Sequence, residues 1–182
     1  MGPRLEDFIY KEKLIPEGLC QRLINQFPDF KWSSHTWYNK HTSKNRSYDT
    51  KELEVANGTM ELHNELAPFM IQALDRYQAR LKQKLVHKIN LIRFNRYPPG
   101  TMMRRHFDHI HDIFDGKDRG IPILSIVGNL NDNYEGGEFC LNDHVIDMKE
   151  GDILLFPSCF VYPHHVNEVR KGTRYSFVTW AY

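Results

Sequence analysis

The strongest constraint on this chain is a change of texture at Lys88. From there to the C-terminus, short β-prone runs alternate with turn signals, and nothing between them has helical periodicity. The runs are 88–97, 103–109, 121–131, 137–141, 144–148, 152–157, 161–169 and 173–181. Pro98-Pro99-Gly100, Asn131-Asp132-Asn133, Gly136-Gly137, Asn142-Asp143, Glu150-Gly151-Asp152 and Lys171-Gly172 punctuate them with residues that turn the backbone. Parallel neighbours need long crossover connections, and none is present. The eight runs therefore predict an antiparallel sandwich or barrel.

The first third reads differently. Leu19, Leu23, Ile24 and Phe27 recur at helical spacing behind Pro16, a residue suited to a first turn. Leu62, Leu66, Met70, Ala73, Tyr77 and Leu81 form a longer apolar stripe. Pro68 interrupts it, so that helix is expected either to kink there or to begin later. Between the two helices, the segment from Trp32 begins strand-like, and Asn39 to Asp49 turns polar and reads as a mobile loop. At 182 residues, the expectation is a single domain. It has a helical N-terminal support over about 1–87 and a β core over about 88–182. The fold class is mainly β: a cupin-like jelly roll with N-terminal helices buttressing one sheet.

Composition narrows the partners. An apolar fraction of 41% is enough for a core without disulfide or metal staples. A formal net charge of +1 gives no general attraction to nucleic acid or to anionic membranes, so neither is an expected partner. Cys20, Cys140 and Cys159 are odd in number and form no C-x-x-C, which argues against a disulfide framework or a cysteine zinc site. Reduced thiols suit a cytoplasmic location. The chain opens on no apolar signal run, and no segment approaches the ~18 apolar residues of a spanning helix. A monomer is the default expectation, with the oligomeric state left open.

Chemistry concentrates late in the chain. Six of the ten histidines lie between positions 106 and 165. In His106-Phe107-Asp108 the first and third residues would leave a strand on the same face and aim an imidazole and a carboxylate at one point. A histidine from a second strand, at His164-His165, would complete a facial triad that leaves open positions on a six-coordinate iron. Arg174 follows on the final run, with Ser176 on the same face. A buried arginine needs an anion, and its planar fork suits a carboxylate. A small dicarboxylate such as 2-oxoglutarate could reach from the metal to this clamp. A lone H-x-D arises often by chance, so the weight rests on the ordered set.

That ordered set resembles the prolyl 4-hydroxylase-like branch of the 2-oxoglutarate/iron(II) dioxygenases, from about Asn90 to Tyr182. The resemblance is carried by Arg96-Tyr97-Pro98-Pro99-Gly100, His106-Phe107-Asp108, Leu130-Asn131, Gly136-Gly137-Glu138-Phe139, Glu150-Gly151-Asp152, and the stretch from His164 to Ser176. It implies a double-stranded β-helix. It also implies iron(II) bound by His106 and Asp108, with Arg174 on the distal carboxylate of 2-oxoglutarate. Dioxygen would be the oxidant, with ascorbate a candidate reductant. The family pattern H-x-V-x-x-V-x-x-G-x-R is met in full by His164, Val166, Val169, Gly172 and Arg174. This selects His164 over His165, which would point to the opposite face. Tyr97 matches a tyrosine lining the co-substrate pocket. Trp180 matches an aromatic near the metal in the oxygen-sensing prolyl hydroxylases, although by itself it reads as a core tryptophan. In one respect the chain departs from the pattern. Where the family often has a tyrosine supporting the carboxylate, this sequence has Asn129, so the hydroxyl would come from Ser176 or Tyr97.

The activity implied is hydroxylation of prolyl residues in a peptide or protein, coupled to decarboxylation of 2-oxoglutarate to succinate. Asn39 to Asp49 and Ile110 to Gly120 are candidate lids, and His109 and His111 read as entry-loop residues. The alternatives are a hydroxylase of a free amino acid or other small molecule at the same iron, a non-catalytic β-helix binding module, and a zinc hydrolase. An intact triad and clamp speak against the binding module. Zinc hydrolysis leaves Arg174 and the Gly-Gly-Glu segment without a task.

Overall fold

The computed structural model describes residues 2–39, 42, 44–46, 51–108 and 122–182. In chain order its elements are β1 (Tyr10–Lys13), α1 (Glu17–Gln26), β2 (Ser33–Ser34), β3 (Trp37–Asn39), β4 (Lys44–Arg46), β5 (Glu54–Asn57) and α2 (Met60–Leu81). They continue with β6 (Arg93–Tyr97), β7 (Met103–His106), β8 (Leu124–Asn129), β9 (Glu135–Gly136), β10 (Phe139–Leu141) and β11 (His144–Ile146). The last four are β12 (Asp152–Pro157), β13 (His164–Val166), β14 (Val169–Lys171) and β15 (Arg174–Ala181). Each of the eight β-prone runs contains a strand.

Seven strands form one sheet in the order β1-β12-β8-β15-β6-β5-β2, and four form a second in the order β11-β10-β13-β7. The two sheets make a double-stranded β-helix. Every ladder within them is antiparallel.

The central strands of the large sheet are buried on both faces, which is why Ile153-Leu154-Leu155-Phe156 reads as an unbroken apolar run. Alternate residues serve two cores. Ile126, Ile153, Leu155 and Phe177 meet the helices, packing with Leu23, Leu66 and Met70. Val127, Leu154, Phe156 and Val178 face the small sheet, with Phe139, Leu141 and Val166. Burying a side chain of this size contributes about 1.5–3 kcal/mol, so both cores are substantial.

The helices hold two surprises for the sequence reading. Pro16 is the N-cap of α1 and not a first-turn residue. Helix α2 begins at Met60, with Thr59 Oγ1 accepting from the Leu62 N–H at 3.3 Å, and runs through Pro68. A late start is therefore excluded. The apolar stripe, with Leu62, Leu66, Met70, Ala73 and Tyr77 all in the helix-side core, outweighs the hydrogen bond lost at proline.

The N-terminal part is also more than a helical support, since it adds β1, β5 and β2 to the large sheet. These strands carry weak signals because they lie near the edges. Three of the four residues of Tyr10-Lys11-Glu12-Lys13 are charged, a composition that protects an edge but hides a strand. Within the stretch read as a mobile loop, β4 pairs with β3 in antiparallel register. Residues 40, 41, 43 and 47–50, the second candidate lid, and His109 and His111 lie outside the described residues. No helix among the described residues is long and apolar enough to cross a membrane.

Candidate metal centre

His106 ends β7 and His164 begins β13, and the two are direct cross-strand partners. Their imidazoles therefore leave neighbouring strands side by side, with ring centroids 4.2 Å apart. Asp108 follows two residues beyond the end of β7. One of its oxygens lies 3.4 Å from His106 Nε2 and the other 3.7 Å from His164 Nε2. One ligand atom from each residue falls within 4.8 Å of the others, a spacing that could hold a metal ion. His165 points the other way and stays outside this group.

Supporting contacts set the chemistry of each group. His106 Nδ1 is 2.7 Å from the Arg104 carbonyl, and His164 Nδ1 is 3.2 Å from the Tyr162 carbonyl. A carbonyl only accepts, so both rings carry their proton on Nδ1 and present a bare Nε2 toward the shared point. Burial pushes the His164 imidazole down to about 4, which keeps it neutral and ready to ligate. Burial works to raise the Asp108 carboxyl. When protonated, His106 through its hydrogen bond and both histidines through their charge outweigh it and hold the group well below the usual carboxylate range. Ser125 Oγ donates to Asp108 Oδ2 at 2.6 Å and lies 2.9 Å from Ser158 Oγ. Two imidazoles and one carboxylate on one side of a point form a donor set suited to iron(II) with open positions.

The same cleft, about 390 Å³ counting the part open to solvent, reaches Arg174, Ser176 and Tyr97. Arg174 opens β15 and pairs with Tyr97 across the ladder. It is 1% exposed, yet no acid answers its charge among the described residues. Nη1 donates to Ser176 Oγ at 3.0 Å, and the guanidinium lies 5.0 Å from the centre of the Tyr97 ring. Nε and Nη2 are buried without partners. Native interiors rarely leave such donors unused, so this end of the cleft is built for an anion, and a carboxylate fits the fork. The pairing of Gly136 with Gly137 has its reason here. Both have positive φ, and a Cβ on Gly137 would fall 2.8 Å from Val169 and 3.3 Å from the Arg174 side chain.

Asn129 is fully buried, and its Nδ2 donates to the Asn131 carbonyl at 2.7 Å. It braces the turn after β8. Ser176 is bonded to Arg174 and Tyr97 lies beneath the guanidinium, as just described. Trp180 packs against the core between the sheets and also lines the cleft, its Nε1 buried without a partner among the described residues.

Sequence reasoning missed Arg93 and Asn95, which also line the cleft. The signal was available. On a strand ending at Tyr97, positions 93 and 95 share its face.

Comparison with known proteins points one way. The sequence profile of the 2OG-Fe(II) oxygenase superfamily matches residues 92–182. A PKHD-type hydroxylase of Idiomarina loihiensis is 29% identical over 159 residues, covering 85% of this chain and 66% of its own length. A PKHD-type hydroxylase of Caulobacter vibrioides is 33% identical over 119 residues, covering 61% of this chain and 51% of its own. The chain thus spans between about half and two thirds of the length of these relatives. Among solved structures, a prolyl hydroxylase of Trichoplax adhaerens bound to a hypoxia inducible factor peptide fragment superposes with a TM-score of 0.70 at 18% identity. That match covers 97% of this chain and 84% of the other. A prolyl-4-hydroxylase of Pseudomonas putida gives 0.67 at 20% identity, covering 96% and 91%. These two likenesses speak to the fold.

Proposed function

Since this chain belongs to the 2OG-Fe(II) oxygenase superfamily, we propose that it hydroxylates prolyl residues in a peptide or protein and consumes 2-oxoglutarate and dioxygen as it does so. One observation carries the reading. A two-histidine, one-carboxylate cluster and a buried arginine with two unused nitrogens open into the same cleft. Zinc hydrolysis would need the first and leave the second without purpose.

In this reading His106, Asp108 and His164 hold iron(II), and Ser125 fixes the orientation of the carboxylate. Arg174 binds the distal carboxylate of 2-oxoglutarate, with Ser176 setting the guanidinium plane. Tyr97 walls the pocket. Burial raises the pKa of its phenol, so it stays neutral beside the arginine. Once bound, iron and 2-oxoglutarate supply the oxidising chemistry, which yields succinate, carbon dioxide and a hydroxylated carbon. The chain's own part is to orient the co-substrate, exclude water and leave one side of the metal open. Hydroxylase relatives and a prolyl hydroxylase neighbour solved with a peptide support proline in a peptide as the target.

The test begins under nitrogen. Iron(II) and then 2-oxoglutarate are added, and the weak visible charge-transfer band of the chelate is sought. The band is expected in the wild type and in His165→Ala, and is expected to be lost in His106→Ala, Asp108→Ala and His164→Ala. Proline-containing peptides should then gain one oxygen in air, by mass. No band alongside tight zinc binding would overturn the oxygenase reading. A dead His165→Ala with an active His164→Ala would overturn the ligand assignment.

A further inference from the structure

The roles above leave one charged residue of the cleft unused. Arg93 stands on β6 four residues before Tyr97, so it enters the same cleft from the same sheet face. At a strand rise of about 3.3 Å per residue, the two positions are roughly 13 Å apart. That spacing roots Arg93 at the other end of the strand from the site assigned to Arg174. Register places it instead toward the metal. Arg93 pairs with Val178, its guanidinium lies 5.3 Å from the centre of the Trp180 ring, and Trp180 pairs with Ser125, the residue that holds Asp108.

Three polar groups here have no hydrogen-bond partner among the described residues. Arg93 Nε, Asn95 Oδ1 and Trp180 Nε1 are all buried without partners, and no ion pair reaches Arg93 among the described residues. Burial disfavours its charged form, with Tyr97 and Asp108 opposing. Charge balance argues in the same direction. Iron(II), Arg93 and Arg174 bring four positive charges. Asp108 and the two carboxylates of 2-oxoglutarate bring three negative ones. Among these buried groups one positive charge would then stay unanswered, which is costly away from water.

We propose that Arg93 binds a carboxylate carried by the primary substrate. The proline presented to the iron would then sit beside an acid, either the terminal carboxylate of its own chain or the side chain of an adjacent acidic residue. This rests on the prolyl hydroxylase reading and narrows it. Stacking on Trp180 is the competing role for Arg93, and it would be indifferent to the charge of the substrate.

The full chain, loaded with iron(II) and 2-oxoglutarate under nitrogen, is titrated calorimetrically with matched peptides. One pair ends in proline as the free acid or the amide. The other pair has an internal proline next to glutamate or glutamine. Each peptide is also made with alanine in place of proline. In at least one pair the acidic member is expected to bind tighter by roughly 10- to 100-fold, the worth of a charge-assisted hydrogen bond. The first pair reports a terminal carboxylate and the second a side chain. The difference should vanish in Arg93→Met and partly survive in Arg93→Lys, with the Kd for 2-oxoglutarate within about twofold of wild type in both, which also certifies their fold. Equal affinities within both pairs overturn the proposal. So do a difference that persists in Arg93→Met and a failure of every peptide to bind. If alanine peptides match proline ones while the acid preference stands, the prolyl reading fails and the carboxylate subsite survives.

Discussion

Replacing Arg174 by methionine is expected to stabilise the ligand-free protein and abolish its response to 2-oxoglutarate. The side chain is 1% exposed. Methionine would lose the bond from Nη1 to Ser176 Oγ, 3.0 Å long and worth about 1–1.5 kcal/mol. It would also lose the approach to the Tyr97 ring at 5.0 Å, worth about 0.5–2 kcal/mol. Against this, the variant relieves two buried N–H groups without partners, at about 1–3 kcal/mol each. It also relieves the desolvation of an unpaired charge, which costs several kcal/mol. The two reliefs concern the same guanidinium and count once, which leaves methionine favoured by about 1–4 kcal/mol. At about 2–4 °C per kcal/mol for a chain of this size, the melting temperature should rise by roughly 2–16 °C. With metal bound and 2-oxoglutarate at a hundred times its Kd, the wild type should gain about 2.7 kcal/mol and the variant nothing. Calorimetric scans in chelator, and then with metal and 2-oxoglutarate under nitrogen, give both numbers. A variant that melts below wild type in chelator would refute the reasoning, because the guanidinium would then be stabilising the fold by itself.

Ser125→Ala should keep the fold and weaken metal binding by about 10- to 100-fold, because Asp108 loses the bond that orients it; chelator competition measures the change. Burial, the largest cause in each case, lowers the His35 and His164 imidazoles to about 4, against about 6.5 for a free histidine. As pH falls, the unfolded chain therefore takes up protons first. On account of these two groups, the metal-free protein should hold its stability above about pH 6.5, lose a few kcal/mol between there and about pH 4, and level off below. A urea midpoint that stays flat over that range would contradict this. Gly128→Ala should destabilise by about 1–3 kcal/mol or more, since a Cβ there would fall 2.0 Å from the ring of Phe177, its partner across the β8–β15 ladder; thermal melts report it.

How much was legible follows from the range of each signal. The turns at Pro98-Pro99-Gly100 and Glu150-Gly151-Asp152 act over a few residues, as does the apolar run Ile153-Leu154-Leu155-Phe156, so the strands of the β core could be read directly. Local periodicity likewise placed His106 near Asp108, and Arg174 near Ser176. Edge strands escaped because their pairing partners are remote in sequence. Tyr10–Lys13 joins Asp152–Pro157, and nothing in four residues, three of them charged, announces it. The course of α2 through Pro68 was equally a matter of tertiary packing, decided by the core it faces.

For the site, the sequence by itself determined the inventory: two kinds of metal ligand, an arginine, and the order in which they occur. Strand geometry and the family pattern could select His164, but only cross-strand register puts it beside His106. Only burial shows that Arg174 lacks an acid among the described residues, and only the shared sheet face brings Arg93 into the same cleft. The physical reason is common to all three. Identity and spacing are properties of the chain, whereas desolvation and charge balance belong to a volume enclosed by residues far apart along it, and they arise only once the two sheets close.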